Sequence, residues 1–451
     1  MLKPGNPLGR CLTFMLTVLI MAVAPIWAAE NVTWTASSIK DLNIRMYGFA
    51  VLDTIVDSTQ MSSLETIANP AVPKASTYAG QHHRTIMSSR ASRLGFDLTL
   101  PKTEGGLSTQ GIFEMDFLGN QGVNTSPGAT STAVQTEGNF YNNASIRLRV
   151  AMANLTYGAW NAKLGQTWSL LGWQPYYFQT ETIVQPAVGQ LFARYPQARV
   201  MNTQKVGSDM TLESALAFAK PAEMNSGMTN YQGGLRLAST KYKAATYAHA
   251  GTAMVGASLA LSGQLTPVRT TAGNATGETY VVNALIPIIP SKDGKDASNN
   301  LSITGEFANG RGMGGLEVPG LSGGVAAVTS TAGTPAANTA LDAGIAGISN
   351  SGKLELIRFQ TWRANLQYTL PNPKWTVAGG YAEAKALNLA DFAASTSLYP
   401  RDQYYYGNLI FQPLSWLRFM VDLSQTKTTY TDAANRFAYN NRIHCATFFI
   451  F

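Results

Sequence analysis

Cysteine is nearly missing, with only Cys11 and Cys445 among 451 residues. That excludes a disulfide-stapled scaffold and a cysteine-rich zinc module. Charge is scarce too: Asp, Glu, Lys and Arg make up 13% of the chain, against roughly a quarter in an ordinary soluble domain. After Ala29 no stretch approaches the roughly 18 uninterrupted apolar residues that a spanning helix needs, which excludes a bundle of membrane helices. What is present is an ordinary hydrophobic share of 45%, 41 glycines, and many Thr, Tyr and Asn. The hydrophobic share excludes a disordered tail, and the rest suits a β protein with long loops of small residues. The length fits two or three soluble domains or one very large barrel.

Residues 1–28 have the layout of a signal peptide. Lys3 and Arg10 give a positive start, Leu12 to Ala24 an apolar run, and Pro25-Ile26-Trp27-Ala28-Ala29 a break with small residues at the cut. The run is short for a membrane anchor. Cleavage after Ala28 removes two basic residues and no acidic one, leaving a net charge of +5 from the full chain's +7. A mature chain that enters a membrane without helices must close into a barrel, because only closure pairs the backbone in lipid.

Period-two alternation supports that reading. In Arg90–Leu100, Leu94, Phe96 and Leu98 share one face and Arg93, Asp97 and Thr99 the other. In Thr109–Leu118, Phe113, Met115 and Phe117 oppose Gln110, Glu114 and Asp116. In Asn143–Tyr157 the pattern places Ile146, Leu148, Val150 and Met152 together, opposite Arg147, Arg149 and Ala151. Tight turns (Pro101–Gly106, Gly158–Ala159, Gly207–Asp209, Pro371–Lys374, Pro413–Trp416) take turns with long loops. This is the rhythm of short periplasmic and long outer connections. The expected fold is all-β, a transmembrane antiparallel barrel of about 16 strands with a general-porin layout. A short segment, 29–42, precedes a barrel over 43–451, with strands starting near Asn43, Arg90, Thr109 and so on to Leu354 and Phe437. Residues 311–353 are expected as a long surface loop. The final strand puts Ile443, Cys445, Thr447, Phe449 and Phe451 on one face. An alternating apolar strand that ends in Phe resembles the signal read by the barrel-assembly machinery, carried here by Phe449 and Phe451.

Chemical motifs are weak. Gly320-Leu321-Ser322-Gly323-Gly324 fits a nucleophile elbow, but lies in a run of small residues without the required strand and helix. Gly310–Gly315 fits GxGxxG with no helix behind it. His82 and His83 are adjacent, a poor geometry for chelation, and His249 and His444 have no evident partner. The expectation is no catalytic site, no metal and no cofactor.

Between Gly138 and Ser208 stand six basic residues, Arg147, Arg149, Lys163, Arg194, Arg199 and Lys205, against one acid, Glu181. If the apolar faces meet lipid, Arg147 and Arg149 point into the channel. Arg93, Arg363 and Arg418 follow the same parity. Such side chains can pair with a neighbouring acid or with lipopolysaccharide. As a cluster they instead set up a field for anions. Without a basic helix or compact basic motif, nucleic acid is not an expected partner. Residues 172–193, with Trp173, Tyr176, Tyr177, Phe178 and Glu181, occupy the place of an inward-folded constriction loop.

The segments Ser92-Arg93-Leu94-Gly95-Phe96-Asp97, Gly111-Ile112-Phe113-Glu114-Met115-Asp116-Phe117, Ile146-Arg147-Leu148-Arg149, Leu164-Gly165-Gln166-Thr167-Trp168, Arg194-Tyr195-Pro196-Gln197 and Gly305-Glu306-Phe307 follow one another in the chain. In this order they resemble the DcaP-like family of outer-membrane porins. The resemblance implies a homotrimer of sixteen-stranded barrels in the outer membrane of a Gram-negative-type bacterium. It also implies uptake of small anionic solutes, dicarboxylates among them, with Arg147, Arg149, Arg194 and Arg199 near the constriction. Some relatives carry an N-terminal coiled coil; Glu30–Leu42 has no heptads to match it. The reading is a passive porin surrounded by outer-membrane lipid and lipopolysaccharide. An outer-membrane barrel hydrolase using Ser322 and a closed structural or adhesin barrel remain as alternatives.

Overall fold

Alternating segments of this kind have one stable arrangement in lipid: each strand pairs on both sides and shows its apolar residues outward. The computed structural model describes residues 41–61, 65, 71–119, 144–178, 188–221, 227–248, 251–270, 272–314, 317, 318, 320, 323–326, 328 and 341–451. The candidate signal peptide, Glu181, His249 and Ser322 lie outside them.

Sixteen staves close into one antiparallel barrel. They are β1 (Asn43–Asp57), β2 (Arg84–Ser88 and Arg93–Thr99), β3 (Ser108–Gly119), β4 (Ser145–Tyr157), β5 (Trp160–Trp168), β6 (Arg194–Val206), β7 (Met210–Ala219) and β8 (Asn230–Ala248). There follow β9 (Gly251–Thr270), β10 (Gly273–Ile289), β11 (Asn300–Arg311), β12 (Arg358–Thr369), β13 (Trp375–Ala386), β14 (Arg401–Leu414), β15 (Leu417–Thr429) and β16 (Phe437–Ile450). Each pairs with the next, and β16 returns to β1 from Phe49↔Ile450 to Asp57↔Arg442. Phe451 completes the seam: its N–H donates to Gly48 O at 3.1 Å, and Gly48 N–H donates to Phe451 O at 2.9 Å.

The second stave is longer than the sequence suggests. Its first piece pairs with residues 53–57 of β1 and its second with residues 43–49. Between the pieces Val51 N–H donates to Ser92 Oγ at 3.0 Å, a side chain standing in for a missing backbone acceptor. The segment Leu354–Leu356, read as the start of a stave, instead pairs with Ala346–Ile348 in a separate two-stranded sheet, and β12 begins at Arg358.

Burial is inverted relative to a soluble protein. Ile146, Leu148, Leu216, Leu235, Tyr280, Ile443 and Phe449 are exposed, while Asp53, Asp116, Arg149, Glu306, Arg363 and Arg442 are buried inside the ring. In β16 the two classes alternate along the whole strand. At the short-turn end Trp375 stacks on Phe411 (centroids 4.1 Å apart) and Trp416 lies against Phe449, which forms part of an aromatic girdle.

One face assignment is corrected. Glu114 pairs with Val150 and Met115 with Leu148, so Arg149 is an extra residue and a bulge reverses parity there. Val150 (5% exposed) therefore joins the inner face, as does Asn154, whose amide donates to Gln110 Oε1. Ala151 takes the outer position. Alternation read straight through a bulge gets every residue after it backwards. The long–short rhythm also breaks once: β9 and β10 are joined by residues 271–272 at the end where other loops are long.

The bulge yields a test. Ala151→Arg should destabilise the folded barrel by about 2–4 kcal/mol, the cost of an arginine on the lipid face near midplane. Val150→Gln should cost much less. Equilibrium urea unfolding in lipid vesicles measures both, and the reverse order would mean that strand parity runs straight through.

Candidate functional site: the barrel lumen and its inward loop

After Trp168 the chain leaves the wall and turns inward, through Gly172 and Trp173 at φ of 72° and 47°. A segment that abandons its ladder must find new partners for its N–H groups, and the inner wall supplies them. Leu170 N–H donates to Gln232 Oε1 (3.1 Å), Gly172 N–H to Ser262 Oγ (2.8 Å) and Leu191 N–H to Glu306 Oε1 (3.0 Å). Trp173 Nε1 donates to Leu261 O at 3.0 Å, and the Tyr177 hydroxyl donates to Ser258 Oγ at 2.9 Å. The indole, 1% exposed, lies flat enough on β8 that a Cβ at Gly234 would sit 2.8 Å from Nε1. Arg363 on β12 donates to Tyr177 O and pairs with Glu306 at 3.3 Å, both side chains being buried. Arg236 lies 4.0 Å over the Tyr176 ring and pairs with Glu213 at 2.6 Å.

The segment after β11 packs on this loop. Its described residues up to Gly347 are mostly buried, whereas the sequence suggested a surface loop. Met313 and Val318 join Leu171, Leu191 and Phe359 in one apolar cluster. Phe192 N–H donates to Glu317 O at 2.9 Å. The Glu317 carboxylate accepts from the Tyr195 hydroxyl and, at 3.3 Å, from Gly314 N–H. Burial pushes its pKa up to about 7. Small residues make the close packing possible: a Cβ at Gly324 would lie 2.3 Å from Ser397 O.

The basic residues fall into two groups. Arg147 pairs with both oxygens of Asp116 (2.9 and 2.6 Å). Arg149 bridges Glu114 (2.6 Å) and Asp116 (2.8 Å). Arg93 reaches Glu114 at 3.6 Å and lies over the Phe49 ring. Three guanidinium groups thus share two carboxylates from β3. Arg418 donates to Gln412 Oε1 at 3.1 and 2.9 Å. In the second group, Arg199 (4% exposed) donates to Gln197 Oε1 and to Trp168 O. Lys163 stands opposite it in the β5–β6 register. Arg194 lies 4.6 Å over Trp168, which forms an aromatic triad with Phe178 and Phe192 at 4.7–4.9 Å. Among the described residues, Lys163, Arg194 and Arg199 form no salt bridge; the bridges in this region are those of Arg93, Arg147, Arg149 and Arg236.

Sequence reasoning missed a polar seam on β1 and β16. His444 Nε2 lies 2.9 Å from Asp53 Oδ1, which gives that histidine the partner it lacked in the sequence. Asp57 accepts from Arg442 (2.8 and 2.9 Å) and from Arg84 (3.1 Å), and Glu65 pairs with Arg90 at 3.1 Å. The inward parity of β16 was the available signal. Phe449 and Phe451 stand exposed at the short-turn end.

The loop's anchoring yields a second test. Trp173→Ala removes a fully buried indole, a change that costs about 3–5 kcal/mol at such sites. It should loosen the loop and raise single-channel conductance in a planar bilayer. Conductance equal to the parent's, from a folded barrel, would show that this loop does not narrow the path.

No protein-family model and no curated protein matches the sequence. Among solved structures the chain is similar to the outer membrane channel DcaP of Acinetobacter baumannii, at 16% identity over 91% of this chain and 98% of that one, with a TM-score of 0.58. It is similar also to an anion-selective porin from Comamonas acidovorans (10% identity, 91% and 100% covered, TM-score 0.52). A third likeness is to OmpF of Salmonella typhi (12% identity, 92% and 99% covered, TM-score 0.52). At these identities the likeness is one of fold, and it agrees with the DcaP-like resemblance of the sequence segments. The chain has the fold of these porins, a closed sixteen-stranded antiparallel β-barrel.

Proposed function

We propose that the protein is a passive, anion-preferring diffusion porin of the Gram-negative outer membrane. In this reading it is secreted with residues 1–28 as its signal peptide, keeps 29–42 as a short periplasmic segment, and is assembled through its Phe449/Phe451 terminus into a homotrimer. The solute gradient drives transport, and no step consumes chemical energy. The inward loop sets the aperture, and the long segment after β11 narrows the mouth above it. The surrounding lipid and lipopolysaccharide meet the apolar wall.

The observation that carries the anion preference is the imbalance at the root of the inward loop. Arg93, Arg147 and Arg149 outnumber Glu114 and Asp116, and Lys163 and Arg199 add charge with no carboxylate in salt-bridge contact. Low-dielectric walls focus such a field into the water-filled path, so Arg199 acts on solutes at a distance rather than by contact. The likeness to a porin whose name states anion selectivity agrees with this. Small dicarboxylates are the solutes that such a field favours most strongly for their size.

The reversal potential of refolded protein in a KCl gradient tests the proposal. The expected sign is anionic. Lys163→Gln/Arg199→Gln should bring it toward zero. Arg147→Ser/Arg149→Ser should go further, toward cations, because it leaves Arg93 as the one guanidinium beside Glu114 and removes both that pair with Asp116. A cation-selective parent would overturn the anion preference, and folded protein that passes no current would overturn the porin itself. For the trimer, a high-mass gel band that collapses on boiling is expected; a monomer band in mild detergent would contradict it.

A further inference from the structure

Where the ends of β6, β7, β8 and β9 meet the segment after β11, there is a cavity of about 10 Å³, room for one water-sized particle. Glu317 and Asp342, from the segment after β11, line it together with Asn230, Thr266, Tyr195 and Lys220 from the wall and its rim. Asn230 is 3% exposed, and its Oδ1 has no hydrogen-bond donor. An acceptor buried in that condition is rare unless something unseen satisfies it.

The other oxygens are also short of donors. One Glu317 oxygen has the Tyr195 hydroxyl, and the other has only the long 3.3 Å bond from Gly314 N–H. Asp342 Oδ2 has Lys220 Nζ at 3.8 Å, beyond direct hydrogen bonding, and both side chains are partly exposed. Two carboxylates and an amide oxygen thus face a small space together, with neither His nor Cys lining it.

We propose that Glu317, Asp342 and Asn230 hold a divalent cation, calcium by preference, that ties the segment after β11 to the rim of the barrel wall. Hard cations take carboxylate and amide oxygens. Calcium accepts an irregular set completed by water, whereas magnesium demands near-octahedral geometry and gives up its waters reluctantly. The absence of nitrogen and sulfur ligands argues against zinc or copper. Lys220 is then a tethered competitor, its ammonium lying near Asp342 when the cation is gone. Because Phe192 N–H is bonded to Glu317 O, a cation that holds Glu317 also steadies the end of the inward loop. The proposal stands independently of anion preference.

Calorimetric titration of CaCl2 into chelator-stripped, lipopolysaccharide-free refolded protein provides the test, with heat-modifiable gel migration confirming that each variant is folded. One site per chain is expected. Asp342→Asn and Asn230→Ala should each weaken it at least tenfold, and Lys220→Ala should tighten it. Protease cleavage after β11 should slow with calcium in the parent and not in Asp342→Asn. No calcium binding, or binding unchanged in Asp342→Asn, would overturn the site. So would a Lys220→Ala variant with a loosened loop and no gain in calcium affinity, which would leave the Lys220–Asp342 pair as the whole tie.

Discussion

An unpaired backbone N–H or C=O in hydrocarbon costs several kcal/mol, and the architecture follows from avoiding that cost. The ladder must return to its own start, and the seam between β1 and β16 is where it does so. The pairing at that seam runs out to Phe451 and Gly48. Where the chain leaves the ladder, as the inward loop does after Trp168, lumenal side-chain oxygens take over as acceptors: Gln232 for Leu170, Ser262 for Gly172 and Glu306 for Leu191. The polar lining of the lumen therefore has two duties. It faces water, and it supplies the acceptors that let a loop lie inside a barrel.

The wall was legible in the sequence because its period is two and its faces differ in chemistry. β16 alternates along its whole length, and its inner and outer residues stand where the pattern puts them. What could not be read was anything that breaks the period. The extra residue at Arg149 moved Val150 inside, and the break at residues 89–92 hid the first half of β2. Low-contrast strands such as β8 and β9 blurred a connection of only two residues.

Charge pairing was illegible for a different reason. A window from Gly138 to Ser208 shows six cations and one anion, but the carboxylates that answer Arg147 and Arg149 belong to the preceding stave, outside the window. Cross-strand neighbours are close in space at sequence separations set by loop length, so local charge counts overstate a barrel's field. The same geometry identifies Lys163, Arg194 and Arg199 as the charges left over among the described residues, a distinction invisible in composition. His444 illustrates the converse: isolated near the end of the chain, it meets Asp53 across 391 positions.

The inward loop has a mechanical consequence. It leaves the wall between β5 and β6 and is fastened to β8, β9, β11 and β12. A hollow cylinder held only by its hoops flattens easily under lateral load from the bilayer. A strut fixed from one side to the other resists that ovalisation. In the proposed reading, the segment that sets the aperture is also the brace that keeps its cross-section from flattening.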